Sequence, residues 1–292
     1  MKVALYGRAI AQNELQNFKH LLEILQKFAI DAIIYDGLHA YLEQTFQYNT
    51  ALATYRMQDQ LKDKADVLIS IGGDGTILDA VAFIKDSGIP IIGINFGRMG
   101  FLAATSNDDI ENAIHALVNK TYSVVKRELV EVTCDKPLFG STNFGLNEFT
   151  LQRKNSSSMI SIDVWVNGEH LNTYWADGLI VSTPTGSTGY SLSCGGPIVY
   201  PESQSFILTP VAPHNLNVRP MIVPNNVELT FEVSGRGNRF LATIDTRVQN
   251  IDSSYKIHLR KAPFTIELIL LDNKTFINAL RTKLLWGLDK RN

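Results

Sequence analysis

The sequence predicts an α/β amino-terminal domain with a mostly parallel open sheet, followed by an all-β, sandwich-like carboxy-terminal domain. A last helix is expected to pack back on the first domain. Three observations predict this. Short apolar runs alternate with helical periodicity over residues 1–120, strand-like runs replace the helical period over 121–271, and helical spacing returns over 272–292. Two closely joined domains and a returning tail are therefore expected at those boundaries.

Each element has its own signal. Val3, Ala4, Leu5 and Tyr6 read as a first strand, and Leu15, Phe18, Leu22, Leu25 and Ala29 recur at three- and four-residue steps, as one buried helix face would. Residues 32–35, 67–71 and 91–94 are three further apolar runs, each followed by a loop or helix pattern. Strands alternating with helices in this way make parallel sheets. Beyond residue 120 the runs "YSVVKRELVEVTC", "MISIDVWV", "VELTFEV", "RFLATI" and "YKIHLR" are strand-like, and Asn167-Gly168 between "DVWV" and "EHLNTYW" marks a two-residue hairpin. The closing stretch "TFINALRTKLLWGLDKRN" spaces Phe276, Leu280 and Leu284 as a helix does.

Composition narrows the function. The 292 residues are 45% hydrophobic and 19% charged, as in an ordinary globular chain. A net charge of -2, from 27 basic and 29 acidic residues, offers no footprint for a polyanion, so no nucleic-acid partner is expected. Cys134 and Cys194 are too few for a disulfide framework or a cysteine-based zinc site, and none of the six histidines forms an H-x-x-x-H or H-x-H pair. No run approaches the ~18 consecutive apolar residues of a membrane span, and "MKVALYGRAI" reads as a strand rather than a signal. The expected setting is the cytoplasm, without a membrane partner.

The chemistry concentrates in three loops. In "SIGGDGTILDA" a strand runs into Gly72, Gly73, Asp74, Gly75 and Thr76, and a helix begins just beyond. Ligands of parallel sheets bind at that carboxyl edge, where glycine backbone and helix N–H groups favour phosphate. A carboxylate beside phosphate is repelled unless a metal ion intervenes or a proton is to be accepted, and both needs arise in phosphoryl transfer to a hydroxyl. The alternative is a turn in which Asp74 caps its own helix. Neither a P-loop nor G-x-G-x-x-G is present, since Leu78 stands where the last glycine would fall. A second loop, "IIGINFGRMGFLA", brings Gly93, Gly97 and Gly100 after the next strand, toward the same crevice. The third, "ADGLIVSTPTGSTGYSLSCGGPIVYPE", crowds hydroxyls around Tyr190, which can stack on a base while Thr188 and Ser191 bond its rim. Asn147 and Glu148 precede a strand; neighbours in a strand point to opposite faces, so the pair can serve one ligand only at a strand end or bulge.

Together these segments resemble the NAD kinase family. The likeness rests on "GGDGT" at 72–76, "GINFGRMGFL" at 93–102, "NE" at 147–148, "DGLIVSTPTGSTGYSLSCGGPIV" at 177–199 and "TPVAPHNLNVRPMIVP" at 209–224. The first motif is shared with diacylglycerol and sphingosine kinases; the others are more specific. The resemblance implies transfer of the terminal phosphate of ATP, or of polyphosphate in some members, to the 2′-hydroxyl of the adenosine ribose of NAD. By that likeness Asp74 accepts the hydroxyl proton, Gly72, Gly73, Gly75 and Thr76 cradle phosphates, and a divalent ion such as Mg²⁺ offsets charge, with no ligands assigned. Asp74, Gly75, Asn147, Glu148, Asp177, Thr188, Gly189, Tyr190, Ser191, Leu192, Ser193 and Ala212 would line the NAD site, and a homodimer or homotetramer is implied. Met99 stands where the family usually has leucine, a volume-conserving change. Asp245 matches the family's acidic residue, while Arg247 replaces a frequent glutamine and, like Arg98, is given no role. The rival readings are a lipid kinase, which would need an apolar acyl channel, and a dinucleotide sensor without chemistry.

Overall fold

The structure, a computed structural model, describes residues 1–61, 64–97, 100–103, 105–154, 158–272 and 275–285. Arg98 and Met99 lie outside the described residues. The chain divides into two units, Met1–Lys126 with Ile266–Asn292, and Arg127–Thr265.

The first unit contains β1 (Lys2–Tyr6), α1 (Leu15–Lys27), β2 (Asp31–Tyr35), α2 (Asp36–Phe46), β3 (Ala53–Tyr55), β4 (Val67–Ile71), α3 (Asp74–Ile84), β5 (Ile91–Asn95), β6 (Thr105–Ser106) and α4 (Ile110–Asn119). Strand order is β5-β4-β1-β2-β3, all parallel. Both β4 and β5 are buried along their whole length, the signature of central strands covered on both faces. Phe18, Leu21, Ile24 and Leu25 form the buried face of α1 against Val3, Leu5 and Ile34. The helix stops at Lys27, short of Ala29, because Ala29 turns into the left-handed region (φ 52°). Its N–H then donates to Gln26 O, and that of Ile30 to Leu25 O, closing the helix as a Schellman turn does. Glycine usually occupies that position, so the stop carries no local mark.

The second unit is built from β7 (Tyr122–Cys134), β8 (Phe144–Gly145), β9 (Glu148–Arg153), β10 (Ile160–Val166), β11 (Glu169–Ala176), β12 (Gly178–Ser182), α5 (Tyr190–Ser193), β13 (Ser205–Val211), β14 (Met221–Pro224), β15 (Leu229–Ser234), β16 (Phe240–Ile244), β17 (Arg247–Ile251) and β18 (Lys256–Leu271). Its strands form two antiparallel sheets, β11-β10-β15-β18 and β14-β13-β12-β9-β16-β17. Their inner faces share one core, in which Phe149 of β9 meets Phe231 of β15 with ring centroids 6.5 Å apart. This is the sandwich arrangement. The turn between β10 and β11 has both Asn167 and Gly168 at positive φ (50° and 83°), as a two-residue hairpin requires.

The long strands β7 and β18 each begin in one unit and end in the other. In the first unit, Leu268 of β18 pairs in parallel with Ile91 of β5. The chain then forms α6 (Phe276–Leu284) within that unit, and Lys283 Nζ lies 4.9 Å from the centre of the Phe101 ring. Thus the closing helix packs back on the first domain. No described helix is long and apolar enough to cross a membrane.

Candidate active site

In the first unit the glycine-rich loop joins β4 to α3. Gly72 continues the strand pairing by donating to Ile94 O at 2.9 Å, then takes a φ of 138° that other residues rarely adopt. Gly73 is the N-cap of α3 and Asp74 its first helical residue. A Cβ on Gly75 would meet no atom within 4 Å, so that side of the loop is open. The Asp74 carboxylate does not cap its own helix. It accepts hydrogen bonds from three successive backbone N–H groups of the second glycine loop: Phe101 to Oδ2 at 2.7 Å, and Leu102 and Ala103 to Oδ1 at 3.0 and 2.9 Å. Gly100 lies against it so closely that a Cβ there would fall 1.7 Å from Oδ1. The two loops noted in the sequence are therefore one assembly, held together by the acid.

A carboxylate offers about four acceptor positions, two on each oxygen. Among the described residues, Oδ1 accepts two backbone hydrogen bonds and Oδ2 one. Oδ2 is consequently the oxygen with capacity to take a proton or hydrogen bond from a ligand. Asn95, at the end of β5, is buried and accepts from Gly97 N at 2.9 Å, which shapes the start of the second loop.

In the second unit Asn147 and Glu148 stand at the start of β9, the strand end where both can face one ligand. Their side chains converge on Gly189, where a Cβ would lie 3.0 Å from Glu148 Oε2 and 3.3 Å from Asn147 Nδ2. Asn147 Oδ1, Glu148 Oε2 and Ser182 Oγ are buried and make no hydrogen bond within the described protein. Ser182 pairs with Glu148 across β9 and β12, so their side chains share a face. Buried polar atoms without partners are uncommon, and this group is suited to a polar ligand. Burial, and after it the negative charge of Asp245, push Glu148 up to about 8, against the pull of the Tyr190 backbone N–H. At neutral pH Glu148 is then mostly a carboxylic acid, able to donate as well as accept.

Asp245 organises this strand end. It sits in the turn between β16 and β17 at a φ of 49°, with a side chain 0% exposed. Its carboxylate accepts from the N–H groups of Leu146 (2.8 Å), Asn147 (2.9 Å) and Glu148 (3.2 Å). Burial raises its pKa, opposed by those donors and by Arg247. Arg247 turns its guanidinium to the carbonyls of Thr142 and Phe144, so it braces the backbone ahead of the pair.

The hydroxyl-rich segment divides its side chains. Tyr190 is 39% exposed, and its hydroxyl accepts from Gln152 Nε2 at 3.0 Å, which spreads the ring along β9. Ser191 points inward instead, its Oγ 2.8 Å from Thr209 Oγ1, and Thr188 donates back to Thr185 O at 3.3 Å. Leu192 and Ser193 complete the short α5, with Ser193 exposed. Asp177 and Ala212 meet at the far end of β12: Gly178 pairs with Val211, Asp177 N donates to Val211 O, and Asp177 is bridged to Arg153 at 3.0 Å. Ala212 is held at a positive φ of 44°. The sequence reading left Gly100 and Ser182 unassigned. Gly100 carried the signal of a third glycine in its loop; Ser182 carried none.

The chain thus has an α/β-plus-β architecture, its first unit carrying a glycine-lined carboxylate at a parallel sheet edge and its second a group of buried polar atoms without partners among the described residues. The family models for the ATP-NAD kinase N-terminal and C-terminal domains match residues 8–122 and 146–271. The chain is 46% identical to the NAD kinase of Cytophaga hutchinsonii and 42% to that of Flavobacterium psychrophilum, in each case over the whole of both proteins. Its fold is like that of yeast NADH kinase complexed with NADH (TM-score 0.86, 21% identity, 99% of this chain and 88% of that one). It is also like that of an NAD kinase from Archaeoglobus fulgidus in complex with ATP (TM-score 0.72, 24% identity, 95% and 96%). The chain belongs to the NAD kinase family and is an enzyme of that family, a transferase.

Proposed function

We propose that the enzyme transfers the terminal phosphoryl group of ATP to the 2′-hydroxyl of the adenosine ribose of NAD, giving NADP and ADP, with Asp74 as general base. The observation that carries this reading is the Asp74 carboxylate, fixed by three backbone donors with acceptor capacity left on Oδ2. In the reaction the ribose O–H bond breaks and its proton passes to Oδ2. A new bond forms from the ribose 2′-oxygen to the terminal phosphorus, and the bond from phosphorus to the bridging oxygen of ADP breaks. The transferred group is loosely bonded in flight, so alignment and charge balance contribute most, and the base adds roughly 10²- to 10⁴-fold.

Gly72, Gly73, Gly75 and Thr76 would cradle the phosphates with backbone N–H groups at the start of α3. Asn147, Glu148, Asp177, Gly189, Tyr190 and Ala212 would hold the adenosine side of NAD. The unpaired atoms of Asn147 and Glu148 support this, as a protonated Glu148 can bond ribose or adenine without repelling phosphate. The neighbouring folds, one described with NADH and one with ATP, support a dinucleotide acceptor and an ATP donor.

For the divalent ion, the described residues offer no protein cage: no group of three or more His, Cys, Asp or Glu side chains could hold a metal. Of the Asp74 carboxylate, Oδ1 is taken up by two backbone N–H groups and the capacity left on Oδ2 is assigned to the ribose proton. The residues present do not fit a protein-held metal, so Mg²⁺ is assigned no protein ligand and no step is routed through it.

The test is to incubate the protein with NAD, ATP and Mg²⁺ and to assay NADP with a dehydrogenase specific for it, beside diacylglycerol, sphingosine and polyphosphate controls. Asp74→Asn is expected to lose ~10²-fold or more in turnover while NAD still raises its melting temperature. Retained turnover would remove Asp74 from the mechanism; phosphorylation of a lipid in place of NAD would overturn the reading.

A further inference from the structure

An ion pair between Arg8 and Asp79 lies beside the glycine loop. Tyr6, the last residue of β1, stands opposite Ser70 of β4, and a Cβ on Gly7 would lie 3.1 Å from Ile71 O. Arg8 therefore leaves the sheet at the same carboxyl edge, beside the strand end that launches Gly72. Its Nε lies 2.5 Å from Oδ2 of Asp79, on the helix that begins with Asp74. The two partners differ sharply in exposure: the Asp79 side chain is 6% exposed and that of Arg8 66%. An ordinary surface pair leaves both partners in water and holds neither firmly. Here a buried carboxylate grips one nitrogen of an exposed arginine and restricts its rotamers, leaving most of the guanidinium outward.

Charge balance gives that arrangement a use. Residues 72–76 contain no Lys or Arg, so this strand end supplies backbone N–H groups but no formal positive charge of its own, and Arg98 of the second loop lies outside the described residues. A donor that transfers its terminal phosphoryl group at Asp74 must place its remaining phosphates along the same edge, and arginine's planar fork matches phosphate oxygens two at a time. We propose that Arg8 binds the non-transferred phosphates of the donor nucleotide and that Asp79 is its positioning residue. This rests on the reading of the Asp74 loop as the site of phosphoryl transfer. Asp79 does not touch the donor; it acts by holding Arg8.

The experiment measures KM for ATP and for NAD, kcat, and direct calorimetric binding of ATP and of inorganic tripolyphosphate, for the parent, Arg8→Gln, Arg8→Lys and Asp79→Asn. Arg8→Gln is expected to raise KM for ATP about tenfold or more and to weaken tripolyphosphate to a similar degree, while KM for NAD stays within about twofold. Arg8→Lys, which keeps the charge but loses the fork, should fall between, and Asp79→Asn should move KM for ATP in the same direction. An unchanged KM for ATP in Arg8→Gln would overturn the proposal, as would equal losses of ATP and NAD affinity with a lowered melting temperature. If the parent makes no NADP, the reaction assigned above fails. Tripolyphosphate binding lost in Arg8→Gln and present in the parent would still establish Arg8 as a phosphate ligand.

Discussion

Asp74 does two things at once: it ties the second glycine loop to the first, and it keeps one oxygen available. Gly100 makes this possible because nothing larger fits. Gly100→Ala would bring a methyl group to 1.7 Å of Asp74 Oδ1, so the carboxylate must swing away or the loop must shift. The expected outcome is a fall in kcat of roughly 10²-fold, out of proportion to a stability loss of about 1–3 kcal/mol, as read by steady-state kinetics beside urea denaturation. Parental turnover in that variant would separate Gly100 from the site. Glu148 yields a prediction in pH. Its pKa rises on folding from 4.5 to about 8, so the folded chain favours the protonated form. Its stabilising contribution is fully present below 4.5 and is lost as pH rises through about 8. Glu148→Gln keeps the shape without the titration. The stability of this variant relative to the parent should therefore rise steadily with pH across that window and be flat outside it. A difference independent of pH, from denaturation at a series of pH values, would show that Glu148 does not titrate there. At this scale Asp74, Asn147 and Glu148 were legible because their residue types break the local pattern. Gly100's constraint was not, since it comes from a side chain 26 positions away in sequence.

Among elements, the turn between β16 and β17 reaches furthest in its effects. It carries Asp245, whose carboxylate gathers three N–H groups from the segment that leads into β9. Asp245→Ala would leave those donors buried without an acceptor. A loss of about 3 kcal/mol or more in unfolding free energy is expected, together with weaker NAD binding. A loss under ~1 kcal/mol would mean that the segment holds its shape alone. Strands and hairpins with a strong local signature were readable: the Asn167-Gly168 turn follows from a dipeptide that tolerates positive φ. Short elements such as β3 and β8 were not, because three or two residues carry too little pattern to set them apart from loop. The end of α1 was missed for a related reason, since Ala29 takes a conformation that its residue type does not announce.

At the scale of the molecule, the described residues form two hydrophobic cores, one around Phe18, Leu21 and Ile34, the other around Phe149, Phe206 and Phe231. Each is assembled from residues of its own unit. Phe231→Ala should cost about 3–5 kcal/mol, and hydrogen exchange should rise in residues 127–265 before it rises elsewhere. Uniform loosening over all residues would show that the two cores melt as one.

What the amino-acid order determined by itself was local: which runs are strands and which are helices, where the glycine loops fall between them, and which acids stand at strand ends. Periodicity and turn chemistry act over a few residues, so they can be read from one stretch at a time. Only the tertiary structure decided which polar atoms are consumed and which are left over. Ser191 and Thr209 satisfy each other, whereas Asn147, Glu148 and Ser182 keep atoms unpaired. It also decided that Arg8 meets Asp79 and that Leu268 meets Ile91. Those pairings depend on where a distant part of the chain returns in three dimensions, and neither residue type nor spacing carries that information.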